Sequence, residues 1–221
     1  MTYSHPISTI QDWRRFPLEW ALRRTVAPAL EPFTLDEVRD QLRLVAQDDD
    51  ALLQSYIVGA REAMESLLGK ALLTQIWELN LSRFPSWELP LPWTGDLGYQ
   101  DLLQSVTSIT YRDVNDVRQT RDPSLYEVDA HHQPVARIVP AYGLFWAPTR
   151  PMPNAVTVTY VAGLNGRGDI PQMVRQAMLM VVGSLYENRE ADVVAAQILE
   201  RLPIFGELVD SHRSRWEPEF N

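Results

Sequence analysis

Residues 53–81 read LQSYIVGAREAMESLLGKALLTQIWELNL, and the hydrophobic period changes inside them. Leu53, Ile57, Ala60, Met64 and Leu67 recur at helical spacing, which predicts an amphipathic helix from about Asp50 to Leu68. Arg61, Glu62 and Glu65 fall away from that seam, so the helix is amphipathic and packs one face. Gly69 is a natural left-handed stop. Beyond it, Trp77, Leu79 and Leu81 alternate with Glu78, Asn80 and Ser82, the period of a half-buried strand. The helix therefore hands over to β structure within a few residues.

Upstream, Thr34 and Glu37 have capping-box spacing, and Leu35, Val38 and Leu42 continue at helical intervals. Asp48, Asp49 and Asp50 follow. Three consecutive acids suggest a cation loop, but the alternation, glycine and closing glutamate of an EF-hand are missing. They read instead as an N-cap with anions at the positive end of the second helix. Before Thr34, Trp13, Phe16, Trp20 and Leu22 would line a short helix that Pro17 interrupts. Arg14, Arg15, Arg23 and Arg24 make that stretch basic, and it reads as a peripheral arm with a solvated face, or alternatively an anion site.

Downstream, Pro85 to Pro92 reads as an edge or extended connection, and residues 94–101 as a loop with Gly95 and Gly98. Val106, Thr107, Ile109 and Tyr111 predict a strand, and Asn115-Asp116 a hairpin turn without the ideal glycine. Val117–Thr120, Tyr126–Val128, Arg137–Val139 and Ala155–Val161 predict further short strands, with Asp122-Pro123-Ser124 as a turn. Such a series predicts an antiparallel sandwich or barrel. Helix returns at Asp169, which can cap it, with Pro171 in the first turn. From Met173 to Tyr186 nearly every position is apolar, and a helix apolar all round needs cover on every side. Neighbouring subunits would supply part of that cover, which makes Met178, Met180, Val182, Tyr186 and Arg189 candidate interface residues. A further helix is expected from about Ala191 to Leu202, then an amphipathic piece holding Ile204, Phe205, Leu208 and Val209, then the tail SHRSRWEPEFN.

The fold class is thus α+β: a small helical bundle with an antiparallel β domain inserted between its second and third core helices. The expected divisions are an N-terminal extension (1–33), a first helical part (34–72), the β insert (73–165), a second helical part (166–205) and a C-terminal docking tail (206–221).

The chain offers little chemistry. It has no cysteine, so disulfides, thiolate metal sites and cysteine nucleophiles are excluded. A net charge of −9 argues against gripping DNA. Lys70 is the only lysine beside 19 arginines, a bias that suits protein interfaces but also follows from a GC-rich genome. There is no signal-peptide pattern, and the apolar run Ala177–Val182 is too short to span a bilayer, so a soluble protein made in a cytoplasm is expected. GLNGRG, with Gly163, Gly166 and Gly168, has the wrong order for a phosphate loop and reads as a flexible connection. His131 and His132 would face opposite ways on a strand and read as a solvated turn, while His5 and His212 have no local partners. Glu187, Arg189 and Glu190 form a charged cluster that reads as the polar end of a helix or an intersubunit ion pair. No catalytic motif appears, so no enzyme activity, cofactor or metal is expected.

The segments FTLDEVRDQLRL and DDDALLQSYIVGAREAMESLLGKALLTQIWEL resemble phage head–tail connector proteins of the HK97 gp6-like class, and more narrowly its longer phiE125 gp8-like branch. The likeness continues through LLQSVTSITYRD, PNAVTVTYVAG and IPQMVRQAMLMVVGSLYENRE, about residues 30–210. It implies a structural adaptor that forms a ring, of twelve subunits, between the portal and the tail-side neck proteins of a tailed phage or gene-transfer particle. Such a ring is assembled in the host cytoplasm and surrounds a channel through which DNA passes without specific binding. A stopper or tail-completion protein of the same neck is the alternative. In related adaptors the C-terminal segment reaches the portal, which here marks Phe205, Arg213, Arg215, Trp216 and Phe220 as docking candidates. Residues 1–29 fall outside the resemblance.

Overall fold

The computed structural model describes residues 18–44, 49–97 and 100–187. Their elements run β1 (Trp20–Val26), α1 (Leu35–Leu42), α2 (Asp50–Leu68), β2 (Gln75–Leu81), β3 (Leu89–Pro90), β4 (Leu103–Arg112), β5 (Arg118–Thr120), β6 (Tyr126–Asp129), β7 (Arg137–Pro140), β8 (Val156–Ala162) and α3 (Gln172–Glu187).

The helix signals hold. Thr34 and Glu37 form both arms of the capping box: Thr34 Oγ1 accepts from the Glu37 amide at 3.2 Å, and Glu37 Oε2 from the Thr34 amide at 2.8 Å. The bond from the Thr34 backbone, followed by Arg175, holds the Glu37 carboxyl below its usual range despite some burial. Helix α2 stops at Gly69 (φ 65°), whose amide bonds the Glu65 carbonyl at 2.9 Å. Val38, Leu53, Ile57, Met64, Val174 and Val181 from the three helices share one apolar core.

Strands β2 and β8 carry the β insert. Both alternate buried and half-buried along their whole length, and their register sets Trp77 against Tyr160, Leu79 against Val158 and Leu81 against Val156. They lie inside a five-stranded sheet of order β1-β2-β8-β4-β5, while β3-β7-β6 form a second sheet. Leu79, Ile109 and Val158 of the first sheet share a core with Leu89 and Ile138 of the second. The β domain is therefore a sandwich of two antiparallel sheets: strands β2 to β8 lie between α2 and α3, whereas β1 joins the first sheet from the segment before α1, which the sequence reads as a separate extension. At the β4–β5 hairpin the missing glycine is replaced by Asp116 at φ 66°, and the Asp113 carboxylate accepts from the Asn115 and Val117 amides.

Several expectations are corrected. Trp20 and Leu22 lie on edge strand β1, not on a helix, and pair with Leu81 and Leu79. Leu22 packs half-buried against the sandwich core once β2 offers a partner, while Trp20, at the start of the strand, stays 40% exposed. Trp13 and Phe16 lie outside the described residues. Asp49 stands at the N-cap of α2 but makes no side-chain cap bond; its carboxylate accepts from the Tyr186 hydroxyl at 2.8 Å. Asp50 accepts instead from Arg39, at 2.9 Å through Nε. These acids tie α2 to α1 and α3 rather than capping it, and Asp48 lies outside the described residues. Asp169 closes the preceding turn through the Gly166 amide at 2.9 Å.

Arg61 and Glu65 are not solvated: each is 2% exposed. Arg61 donates to Glu65 and to Glu31, both at 2.8 Å. Glu65 also accepts from the Leu72 amide at 3.0 Å and from Gln75 Nε2 at 2.5 Å. Burial pushes the Glu65 carboxyl up, against the pull of Arg61 and those donors. GLNGRG is not a flexible connection either. The Gly163 amide bonds the Leu102 carbonyl at 2.8 Å, and the Leu164 amide bonds that of Leu72 at 3.2 Å. Gly163 sits at φ 116°, where an added Cβ would lie 2.1 Å from the Leu73 carbonyl oxygen.

Gly163→Ala is expected to destabilise the protein by about 2–4 kcal/mol, since strain and a backbone clash coincide. Glu65→Ala is expected to cost about 3 kcal/mol by leaving Arg61 and two buried donors short of an acceptor. Urea unfolding midpoints measure both.

Candidate functional site

The residues with chemical potential are dispersed. His131 Nδ1 lies 2.5 Å from Asp101 Oδ2, whereas His132 Nδ1 lies 3.0 Å from the Val135 carbonyl. The two rings have separate partners in an exposed turn. Glu187 ends α3 in solvent, while Arg189, Glu190, His5 and His212 lie outside the described residues. No group of three or more metal-ligating side chains gathers among the described residues. No described helix is long and apolar enough to cross a membrane.

The informative features are surfaces. Helix α3 buries Val174, Ala177, Met178, Val181 and Val182 against α1 and α2. It is not covered on every side as its composition predicts: Met173 and Met180 are half exposed on the opposite face, with exposed Gln176 between them. Positions 173, 176 and 180 follow the spacing of a second helical seam. Of the expected interface residues, Met180 is presented outward. Met178 and Val182 lie inside the chain's own core, and Tyr186 is half-buried and bonded to Asp49. Arg189 and the docking candidates Phe205, Arg213, Arg215, Trp216 and Phe220 lie outside the described residues, as do the helix and amphipathic piece expected beyond Glu190.

A second surface stands at one end of the sandwich. After β7 the chain turns through Ala141–Leu144, with Gly143 at φ 77° and the Leu144 amide bonded to the Ala141 carbonyl at 2.9 Å. Tyr142 is 99% and Phe145 78% exposed, and Trp87 is half exposed beside them. The loop is anchored from beneath. Trp146 stacks on Phe84 with centroids 4.7 Å apart, and its Nε1 donates to the Trp87 carbonyl at 2.6 Å. Arg121, 8% exposed, donates to the Phe145 carbonyl at 3.0 Å and to the Leu125 carbonyl at 3.3 Å. Its guanidinium lies 6.0 Å from the Trp146 ring centroid. This tip escaped the reading of the sequence. Its signal is PAYGLFWAPT, residues 140–149: three aromatics and no charge, where neither helical nor strand period is sustained.

The described residues thus form a helical bundle bearing a β sandwich, and their notable exposed groups are apolar side chains rather than a catalytic or metal-binding cluster. The gp6-like resemblance read from the sequence is met over part of its span: residues 32–122, from the segment before α1 through β5, match the family described as phage gp6-like head-tail connector protein. That family is structural, not enzymatic. Solved structures share the fold, and three of them are neck or virion structures of gene transfer agents. One is the neck of an empty gene transfer agent (GTA) particle computed with C6 symmetry, with TM-score 0.70 and 20% identity, covering 90% of this chain and 98% of the other. Another is the virion of a native GTA particle, with TM-score 0.67, 19% identity and coverages of 90% and 97%. The third is the neck of a native GTA particle computed with C12 symmetry, with TM-score 0.66, 18% identity and coverages of 90% and 98%. No curated protein sequence matches.

Replacing Arg121 by Met keeps the stem and removes both carbonyl contacts. Chymotryptic cleavage at Tyr142 and Phe145 is expected to accelerate severalfold, with a loss of only about 1–2 kcal/mol in overall stability. Limited proteolysis followed by mass spectrometry reads the sites.

Proposed function

We propose that this protein is a structural head–tail connector of a phage or GTA neck, forming a ring between the portal and the tail-side neck proteins. The observation that carries this is the family match over residues 32–122, which includes α1, α2 and the first half of the sandwich. The fold shared with neck proteins along nearly their whole length supports it. A ring of twelve is the stoichiometry we favour, because a twelvefold ring obeys both sixfold and twelvefold averaging, the two symmetries of those necks. A net charge of −9 suits a channel wall: few phosphates would be neutralised, so DNA would slide without sticking. The C-terminal stretch 206–221, with Trp216 and Phe220 as aromatic anchors, is the segment we assign to portal docking.

Removing the gene is expected to give DNA-filled heads without tails, counted by negative-stain electron microscopy, and the full chain should restore tails. Normally tailed particles without the gene would sink the reading. A chain lacking 206–221 should fold and bind portal about tenfold more weakly, as loss of one or two buried aromatic anchors entails.

A further inference from the structure

We propose that the aromatic tip of one subunit docks on the Met173–Met180 face of α3 in a second copy of this chain; the inference rests on the ring reading and names its side-to-side contact. A ring built from one repeated heterologous contact needs two different patches on each subunit. The tip and the α3 face meet that need, because one belongs to the sandwich core and the other to the helical core.

Charge selects the partner. Each copy carries −9, so two copies repel except where their surfaces are neutral. Residues 140–149 contain no charged side chain, and the outward stripe of α3 reads Met173, Gln176 and Met180. The exposed Val114 and Val117 lack that neutrality, since they lie among Asp113, Asp116 and Arg118. The chemistry also matches, since thioethers pack favourably against aromatic rings and adapt to their shape. Arg121, Trp146 and the Gly143 turn already fix the tip, so little ordering entropy is lost on docking. Three aromatics and two methionines bury only a few hundred Å², roughly half of one partner's share of a standard interface. The contact therefore holds within a closed ring or on a template, not as a free dimer.

The cysteine-free chain makes the test clean. Particles assembled with the full-length double variant Phe145→Cys/Met180→Cys are oxidised mildly and run without reducing agent. A ladder of covalent multimers is expected from the double variant and only monomer from either single variant. A second pair, Tyr142→Cys/Met173→Cys, serves if the first impairs assembly. Tailed particles that contain the chain but give only monomer with both pairs would overturn the contact while leaving the connector reading intact. So would tip-to-tip dimers from Phe145→Cys alone, a disulfide within one chain, or Tyr142→Ser/Phe145→Ser particles that keep the ring and lose only a different neck protein. Wild-type chain absent from purified necks would overturn the connector reading and this contact together.

Discussion

Everything in this molecule turns on where a buried carboxylate can find its donors. Glu65 lies in the last turn of α2, almost wholly withdrawn from water. Unpaired, such a group is costly, and even paired its desolvation offsets much of the attraction. Its value is geometric. Arg61 reaches it from the preceding turn, and the chain beyond Gly69 must return so that the Leu72 amide and Gln75 can reach it as well. One side chain thereby fixes the path from the helix into β2. Arg61 also holds Glu31, on the segment that leads from β1 to α1.

Two other arginines grip the same segment. Arg167 donates to the Glu31 carbonyl at 2.6 Å, and Arg175 to the Pro32 carbonyl at 2.8 Å, with its guanidinium 4.7 Å from the Phe33 ring centroid. The planar fork of arginine can pair and stack at once, which an ammonium group cannot. Part of the arginine excess thus serves contacts inside the chain. The consequence is a stiff joint between the helical bundle and the sandwich. On the connector reading proposed above, such a joint would hold partners on different elements in a fixed relation. The presented surfaces, α3 on one core and the aromatic tip on the other, are separated by this joint.

Legibility followed the range of the interactions. The capping box at Thr34, the stop at Gly69 and the alternation of β2 and β8 are local patterns, and each was readable from neighbours in the chain. Strand β1 was not, because Trp20 and Leu22 acquire their face only by pairing with β2, more than fifty residues away. The aspartates before α2 looked like a cap because capping is the local use of such residues; Arg39 and Tyr186 gave them tertiary partners instead. The aromatic tip left no period to read, only an uncharged interval.

The sequence by itself determined the order of helix, β insert and helix, the inward positions of α2 and β2, the lack of thiol chemistry and the resemblance to connector proteins. Those follow from periodicity, composition and ordered likeness, which need no coordinates. Tertiary structure decided that the insert is a sandwich, that Arg61 and Glu65 are buried, that Gly163 is pinned beneath the Leu73 carbonyl, and that α3 keeps Met173 and Met180 outside. The physical reason is the same in each case: burial and hydrogen-bond partnership depend on segments far apart in sequence, and charge or hydrophobicity alone does not say which of them will meet.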